Sequence, residues 1–205
     1  MNVLIACEES GAVRDAFIKK GHNAISCDIL NTSSPGPHIM GDVLPLLKYK
    51  WDLIIAHPPC TYLCNSGVCW LYKKIPSGKG WPNPVKFTKE KNLPRWDDMR
   101  LGAEFFKKIL DADCDKICIE NPIMHKYAVE IIGRRQDQLV QPWQFGHGET
   151  KATCFWLKGL EPLKPTDIVE GREQRLHLLP PSKDRAKLRS KTFQGIADAM
   201  ADQWG

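Results

Sequence analysis

Short apolar segments alternate with helical patterns along this chain, and this alternation constrains the fold more than any other feature. Between the first two apolar runs, Val13, Ala16 and Phe17 recur at helical spacing and Gly21 follows as a C-cap; residues 99–110 form a second amphipathic pattern. We interpret the apolar runs as strands over 3–7, 23–30, 51–56 and 116–122, with a further short element over 38–44. This order predicts an α/β fold, a mostly parallel sheet with helices on both faces.

The rest of the chain is expected to complete one domain over residues 1–205, a length that suits a single α/β core. The patterns predict a helix over 126–133, an antiparallel strand over 150–157 and a closing helix over 191–204. Two segments depart from the alternation. One is a basic insert rich in Pro and Trp at about 65–98, predicted to be structureless over 73–98, and the other is a short segment at about 158–190.

The composition is ordinary for a globular protein, with 42% apolar and 26% charged residues. No apolar run approaches the length that crosses a bilayer, and the N-terminal MNVLIACEES lacks the basic region of a secretory signal. We therefore expect a cytoplasmic location and no membrane partner. In that compartment the eight cysteines are expected to be reduced thiols rather than a disulfide framework.

The net charge of +5 is concentrated in two basic clusters. The central cluster consists of Lys73, Lys74, Lys79, Lys86, Lys89, Lys91, Arg95 and Arg100. The C-terminal cluster consists of Arg172, Arg175, Lys183, Arg185, Lys187, Arg189 and Lys191. Clustered positive charge indicates a polyanionic partner, and the alternative interpretation is that these are solvated loop and helix faces.

Acidic residues follow the first three strands, where each strand ends. Glu8 lies in the turn that ends at Gly11, Asp28 closes the second strand and Asp42 follows the third. The carboxyl ends of parallel strands share one sheet edge, so these groups are placed as a nucleoside cofactor requires. Gly11 lets backbone approach the ligand, Asp28 accepts from ribose hydroxyls and Asp42 accepts from an adenine amino group. The turn lacks GxGxxG, which argues against nicotinamide, and ordinary solvated loop acids are the alternative interpretation.

Cys60 and Glu120 stand just past two further strands. Pro58 and Pro59 end the apolar run before Cys60, because neither proline can donate to a sheet ladder. Glu120 occupies the same place on the strand 116–122, which also ends at a proline. A thiolate and a carboxylic acid that face one small molecule are suited to covalent attack on an electron-poor ring.

Another chemistry remains open for the same segment. A zinc or iron–sulfur site would draw its nitrogen and sulfur ligands from His57, Cys60, Cys64 and Cys69. The spacing matches no common metal signature, and we expect Cys64 to be an ordinary packed thiol.

Pro59-Cys60 and Glu120-Asn121 together resemble the motifs of the DNA cytosine-5 methyltransferase family, of a compact type found in phages and prophages. That family has Pro-Cys after its fourth strand and Glu-Asn-Val after its fifth; here Pro122 takes the third place. The resemblance implies a Rossmann-like S-adenosylmethionine-dependent methyltransferase fold. It also implies transfer of a methyl group from S-adenosylmethionine to carbon 5 of cytosine, which we expect to lie in DNA.

The resemblance further implies roles for individual residues. Cys60 adds to carbon 6 of the ring, Glu120 holds ring N3 and the exocyclic amine, and Lys151 is a candidate for the family's missing arginine. The catalytic residues implied are Cys60, Glu120, Asn121 and Lys151. The cofactor-binding residues implied are Cys7, Glu8, Ser10, Gly11, Asp28, Ile29, Asp42, Val43, Pro58 and Thr192.

Two departures from the family keep other functions open. The Gln-Arg-x-Arg motif is not recognisable, and only the recognition-like segment 158–190 is available where the family has a long target-recognition region. A catalytically degenerate nucleic-acid-binding protein, or the same enzyme acting on RNA or a free nucleotide, are the alternatives. In the insert, Trp70, Trp81 and Trp96 are candidates to stack on bases, or are loop anchors packed on the core.

Overall fold

The computed structural model describes residues 1–75 and 86–205. The strands are β1 (Asn2–Ala6), β2 (Asn23–Asp28), β3 (His38–Met40), β4 (Leu53–Ala56), β5 (Tyr72–Lys74), β6 (Phe87–Lys91), β7 (Ile117–Asn121), β8 (Gln138–Val140) and β9 (Thr153–Lys158). The helices are α1 (Ala12–Lys19), α2 (Leu93–Leu110), α3 (Lys126–Ile132), α4 (Arg175–Leu178), α5 (Arg185–Ser190) and α6 (Gln194–Trp204), with 3-10 helices at Leu46–Lys48, Asn65–Leu71 and Pro142–Gln144. Across these described ranges, no helix is long and apolar enough to cross a membrane.

Seven strands form one sheet in the order β3-β2-β1-β4-β7-β9-β8. The pairs from β3 through β7 are all parallel, and β9 runs antiparallel to both β7 and β8. The sheet is therefore mostly parallel with an antiparallel strand inserted near one edge, which confirms the predicted Rossmann-like α/β fold. The antiparallel direction predicted for residues 150–157 is confirmed as well.

The two faces of the sheet carry separate apolar cores, as expected where helices cover both sides of a parallel sheet. On one face α2 and α3 bury residues such as Phe106 and Ala128 against Leu4 and Ile54. On the other face α1 and α6 bury residues such as Phe17 and Met200. Because β1, β4 and β7 are covered on both sides, they carry unbroken apolar runs at residues 3–6, 53–56 and 117–119, as the sequence pattern indicated.

The insert is more ordered than the sequence pattern suggested. Strands β5 and β6 form an antiparallel hairpin, and α2 begins at Leu93, six residues before the predicted start. The prediction of a structureless segment over 73–98 was therefore wrong for its described part. Pro94 is tolerated in the first turn of α2, where a helix has no need of that backbone N–H. Lys79 and Trp81 lie outside the described residues.

Trp96 was a candidate for stacking on bases, and the structure instead buries it. Its side chain is 8% exposed, and its indole Nε1–H donates to the Leu71 carbonyl at 2.8 Å. It packs against the Tyr127 ring, with a centroid separation of 4.7 Å. Trp96 is therefore an anchor that ties α2 to the chain before the hairpin. Trp70 remains 43% exposed beside Phe87.

The segment from Lys158 to Ser190 contains only the short helices α4 and α5. It is joined to the preceding chain by an ion pair between Arg175 and the buried Glu149, at 3.0 Å. Arg172 also lies over the Trp143 ring, 3.8 Å from its centroid. These contacts hold the segment along residues 142–150.

Candidate active site

The carboxyl ends of β1, β4 and β7 bring three side chains to one edge of the sheet. Ala6 is in register with Ala56, and Ala56 with Ile119, so the next residues along are Cys7, His57 and Glu120. The His57 amide donates to the Ala6 carbonyl at 2.9 Å, which extends the ladder by one residue. The acids that follow β2 and β3 continue the same edge on one side.

The resemblance placed Glu8 among the cofactor ligands, but in the structure its carboxylate accepts hydrogen bonds from the first turn of α1. The side chain is 4% exposed, and its oxygens accept from the Val13 amide at 2.7 Å and the Arg14 amide at 3.2 Å. The Ser10 hydroxyl donates to the same carboxylate at 3.2 Å. An acid at a helix N-terminus is stabilised by the free amides and the helix dipole, so Glu8 fixes the turn itself.

Gly11 is required by a neighbouring side chain within the protein, and its role in ligand approach stays a prediction. It has φ of 73°, and a Cβ there would lie 2.5 Å from Arg14 Nη2. The Arg14 side chain is fully buried and donates to the Ser34 carbonyl at 3.0 Å and to the Thr32 hydroxyl at 3.3 Å. Arg14 therefore pins the loop after β2 against the turn after β1.

Asp28 and Asp42 form the open part of the edge. One carboxylate oxygen of each accepts from the amide two residues on, at 2.9 Å from Leu30 and 3.0 Å from Leu44. In the described ranges the second oxygen of each acid has no hydrogen-bond partner. Burial, and then chiefly the charge of Asp28, raise the pKa of Cys7 to about 12, so Cys7 is a neutral thiol.

The two apolar residues predicted to line this edge differ in exposure. Ile29 is 78% exposed, whereas Val43 is 3% exposed and belongs to the core. Of the two, Ile29 therefore presents an exposed side chain at this edge, whereas Val43 packs in the core and its carbonyl accepts from the Leu46 amide at 2.9 Å.

The other half of the edge is a buried hydrogen-bonded cluster of His57, Glu120 and Thr192. His57 Nδ1 lies 2.8 Å from Glu120 Oε2, and the Thr192 hydroxyl donates to the same oxygen at 3.1 Å. The side chains of His57 and Glu120 are 13% and 10% exposed. Thr192, predicted to contact cofactor, thus lies against Glu120, the residue predicted to hold the ring. The sequence did not predict that His57 and Thr192 contact Glu120. For His57 a signal was available, because His57 and Glu120 each come one residue after the paired residues Ala56 and Ile119.

The electrostatics of this cluster favour an ion pair. Burial alone would raise the pKa of Glu120, but the hydrogen bond and charge of His57, the charge of Lys151 and the Thr192 hydroxyl lower it to about 2. Burial alone would lower the pKa of His57, but the Glu120 hydrogen bond and charge raise it. Glu120 is therefore a carboxylate and His57 favours the imidazolium form.

Asn121 and Pro58 are supports beneath this cluster. Asn121 is buried, and its side-chain amide donates to the Pro58 carbonyl at 3.0 Å. This bond ties the loop after β4 to the end of β7. Through this hydrogen bond, Asn121 and Pro58 position the Cys60 loop relative to Glu120.

Cys60 and Cys64 share one tight turn. The Cys64 amide donates to the Cys60 carbonyl at 3.0 Å, and Cys64 Sγ lies 3.2 Å from the Ser66 hydroxyl. Hydrogen bonding with Cys60, and less strongly with Ser66, lowers the pKa of Cys64 to about 5. The same contact with Cys64, together with burial, raises the pKa of Cys60. Cys64 is half-buried on the turn that follows Cys60, and its role as an ordinary packed thiol stays a prediction.

Lys151 lies beside the chain that directly precedes Thr192. Its ammonium donates to the Lys191 carbonyl at 3.2 Å and stands 5.9 Å from the centroid of the Phe193 ring. Its positive charge favours the ionised forms of Glu120 and Cys60. Lys151 thus acts on the site through its charge.

The metal centre considered at His57, Cys60, Cys64 and Cys69 is not supported. His57 is bonded to Glu120, and the two thiols at 60 and 64 are paired with each other. Across residues 1–75 and 86–205, no three His, Cys, Asp or Glu side chains are grouped so that they could hold a metal ion.

Comparison with known proteins adds structural neighbours. No protein-family model matches this sequence, and no curated protein is significantly similar to it. Among solved structures, a triple mutant of DNMT2 from Spodoptera frugiperda is similar, with 13% identity and a TM-score of 0.43 over 89% of this chain. The methyltransferase EhMeth from Entamoeba histolytica is similar with 16% identity and a TM-score of 0.44, also over 89% of this chain.

This chain spans 60% of the length of each of those two structures. Similarity at this level concerns the fold. The chemistry of the site therefore rests on its own residues: a thiol pair and an ionised, buried carboxylate beside an open acidic edge.

Proposed function

We propose that this protein is an S-adenosylmethionine-dependent methyltransferase that acts on carbon 5 of a cytosine in nucleic acid. The observation that supports this most is the placement of Cys60 just past β4 and of Glu120 at the carboxyl end of the neighbouring strand β7. They adjoin an edge where Asp28 and Asp42 leave carboxylate oxygens free. A nucleophile, an acidic group that recognises a ring and a place for a nucleoside are thereby adjacent.

The open edge fits a nucleoside cofactor. Asp28 follows β2, the place from which an acid accepts ribose hydroxyls in dinucleotide-binding folds. Asp42 is available to an adenine amino group, and the exposed Ile29 offers apolar contact beside the base. S-adenosylmethionine supplies an electrophilic methyl group when it is bound there.

The residues of this chain would act in sequence on the cytosine ring. The Cys60 thiolate forms a bond to carbon 6, and Glu120 holds the ring edge while charge develops on it. Carbon 5 then takes the methyl group, and loss of the carbon 5 proton expels the thiolate. The positive charge of Lys151 favours the Cys60 thiolate and supports this step, and the Cys60 proton leaves to solvent before the sulfur–carbon bond forms.

The substrate we propose is DNA, with RNA or a free nucleotide as the alternatives. Support comes from the exposed lysines of the hairpin β5–β6 and its flanks, which are Lys73, Lys74, Lys86, Lys89 and Lys91. Phosphate contacts release counterions, so binding through these lysines should weaken steeply with salt. The shortness of the segment 158–190 is the reason to keep RNA and nucleotides in view.

Catalytic degeneracy is the second candidate, and one observation favours it. Glu8 is committed to the start of α1, so the turn after β1 has lost one acid that a ligand would use. In that case the protein binds nucleic acid without modifying it.

The test is incubation with S-adenosylmethionine labelled in its methyl group and a panel of duplex DNA, single-stranded DNA, RNA and cytidine nucleotides. We expect label on carbon 5 of cytosine in nucleic acid, and covalent capture of a 5-fluorocytosine oligonucleotide at Cys60. Nucleic-acid binding without transfer would favour the degenerate protein, and transfer to nucleotides alone would change the substrate. If calorimetry detects no binding of S-adenosylmethionine or its demethylated product, the methyltransferase proposal fails.

A further inference from the structure

We propose that His57 is a positioning residue that fixes Glu120 as a carboxylate and holds the proton that ring N3 of the substrate takes up during attack. This inference rests on the proposed function. Its starting point is the contact of His57 Nδ1 with Glu120 Oε2 at 2.8 Å, made between the residue that directly follows β4 and a residue at the carboxyl end of the paired parallel strand β7. His57 is outside the Pro-Cys and Glu-Asn motifs that carry the family resemblance.

One carboxylate oxygen of Glu120 accepts hydrogen bonds within the protein, and the other is available to the substrate ring. Oε2 accepts both the His57 Nδ1–H and the Thr192 hydroxyl, at 2.8 Å and 3.1 Å. In the described parts of the chain, Oε1 has no hydrogen-bond partner. Two donors on one oxygen hold the carboxylate in a single orientation, so Oε1 is preset to receive a donor from a base.

The charges around the imidazole keep a proton on it. Burial opposes the imidazolium, but the hydrogen bond and charge of Glu120 on β7 and the charge of Glu8 in the turn after β1 outweigh it and raise the pKa of His57. The charge of Lys151, ahead of β9, also opposes the imidazolium. His57 Nε2 is buried and has no partner within residues 1–75 and 86–205. An ion pair that is this well buried is retained only where its charges compensate each other.

Glu120 alone lacks the proton that the reaction requires. With its pKa lowered to about 2, it is a carboxylate at neutral pH and cannot act as an acid. Lys151 is bonded to the Lys191 carbonyl. The imidazolium of His57 is therefore the proton source in direct contact with the acid that holds the ring.

One proton moves from His57 to the ring and returns during the reaction. The sulfur of Cys60 bonds to carbon 6, the carbon 5–carbon 6 π pair shifts toward N3, and N3 takes a proton that leaves His57 through Glu120. His57 is then neutral imidazole. After carbon 5 has taken the methyl group, N3 returns the proton to the pair. Loss of the carbon 5 proton to solvent restores the ring double bond and expels the Cys60 thiolate.

A first test needs no activity. The ring nitrogens of His57 are titrated by NMR in the unmodified protein and in Glu120→Gln, with assignment from the signals lost in His57→Asn. We expect the pKa of His57 to lie above the ordinary histidine value of 6.5 and to fall in Glu120→Gln. A His57 pKa at or below 6.5, or one unchanged in Glu120→Gln, would overturn the inference.

A second test uses the pH profile of methyl transfer. A raised pKa means that His57 is protonated at lower pH, so kcat should fall as pH rises through that pKa. In His57→Asn, whose amide can still donate to Glu120, kcat should drop by about 10²-fold and the alkaline fall should disappear. Affinity for S-adenosylmethionine should be unchanged, since His57 does not belong to the open acidic edge.

His125→Asn is the matched control. His125 is also a buried histidine, and its Nδ1 accepts from the Ala128 amide at the start of α3, a task that Asn performs well. The His125→Asn variant should keep the fall of kcat at alkaline pH. If His57→Asn keeps that fall too, His57 is merely structural. If the unmodified protein transfers no methyl group to any substrate, the proposed function fails, while the NMR titration still decides the state of the pair.

Discussion

The two halves of the sheet edge are built in opposite ways. After β2 and β3, Asp28 and Asp42 each keep a free carboxylate oxygen in contact with solvent. After β4 and β7, His57 and Glu120 are buried and hydrogen-bonded to each other. The open half can bind and release a ligand at a small desolvation cost, whereas the closed half has its charges placed before a reactant arrives. A site that exchanges one molecule and performs chemistry on another needs both.

The turn after β1 forms the boundary between the halves. The Glu8 carboxylate binds the first amides of α1, and its charge also acts on His57. Arg14, from the first turn of that helix, holds the loop after β2. The position of the open half is thus set by the same buried groups that adjoin the closed half.

The largest effect is expected from the thiol pair, because it tests whether the closed half performs chemistry. Cys60→Ser should reduce methyl transfer by on the order of 10³-fold or more while it spares the affinity for S-adenosylmethionine. Cys64→Ser should keep most of the activity, with a loss of less than about twofold, since Cys64 forms no bond to the ring. Cys69→Ser is the control for a cysteine on the same segment.

Rates measured with labelled S-adenosylmethionine distinguish the two thiols. If Cys60→Ser keeps a rate near that of the parent protein, the covalent mechanism is wrong. If Cys64→Ser is the inactive variant and captures no fluorocytosine substrate, the roles of the two thiols are reversed.

The next-largest effect is expected on cofactor affinity, from substitutions in the open half of the edge. Asp28→Asn and Asp42→Asn should each weaken binding of S-adenosylmethionine by about tenfold, because each removes a charge-assisted hydrogen bond of about 1.5–3 kcal/mol. The free energy of unfolding should change by less than about 0.5 kcal/mol, since each changed oxygen faces solvent. Calorimetry and denaturant unfolding measure the two quantities. A lowered kcat with unchanged affinity would break the division of the edge into a binding half and a reacting half.

Sequence patterns predicted the regular parts of the molecule because those parts are determined locally. The apolar runs fixed β1, β2, β4 and β7, and the proline after each of the last two placed Cys60 and Glu120 at the edge. The hairpin β5–β6 escaped prediction, since its short strands lie mostly on the surface and show no apolar period.

The contacts that complete the site could not be predicted, because they join distant parts of the chain. Thr192 meets Glu120 across 72 residues of sequence, and nothing near Thr192 indicates that partner. The constraint that Arg14 places on Gly11 could not be predicted either, since it depends on the loop after β2, whose Ser34 carbonyl accepts from the Arg14 guanidinium.

The smallest effect concerns the boundary turn and asks whether Glu8 is a structural residue. Glu8→Gln keeps the shape of the side chain but removes the charge at the start of α1, so we expect a loss of about 1–2 kcal/mol in the free energy of unfolding. Glu104→Gln, at an exposed position within α2, is the control and should change it by less than about 0.5 kcal/mol. Affinity for S-adenosylmethionine should fall only slightly, because the carboxylate is turned toward the helix. A large loss of affinity with unchanged stability would show that Glu8 binds the ligand directly, and that the open half extends across the turn after β1.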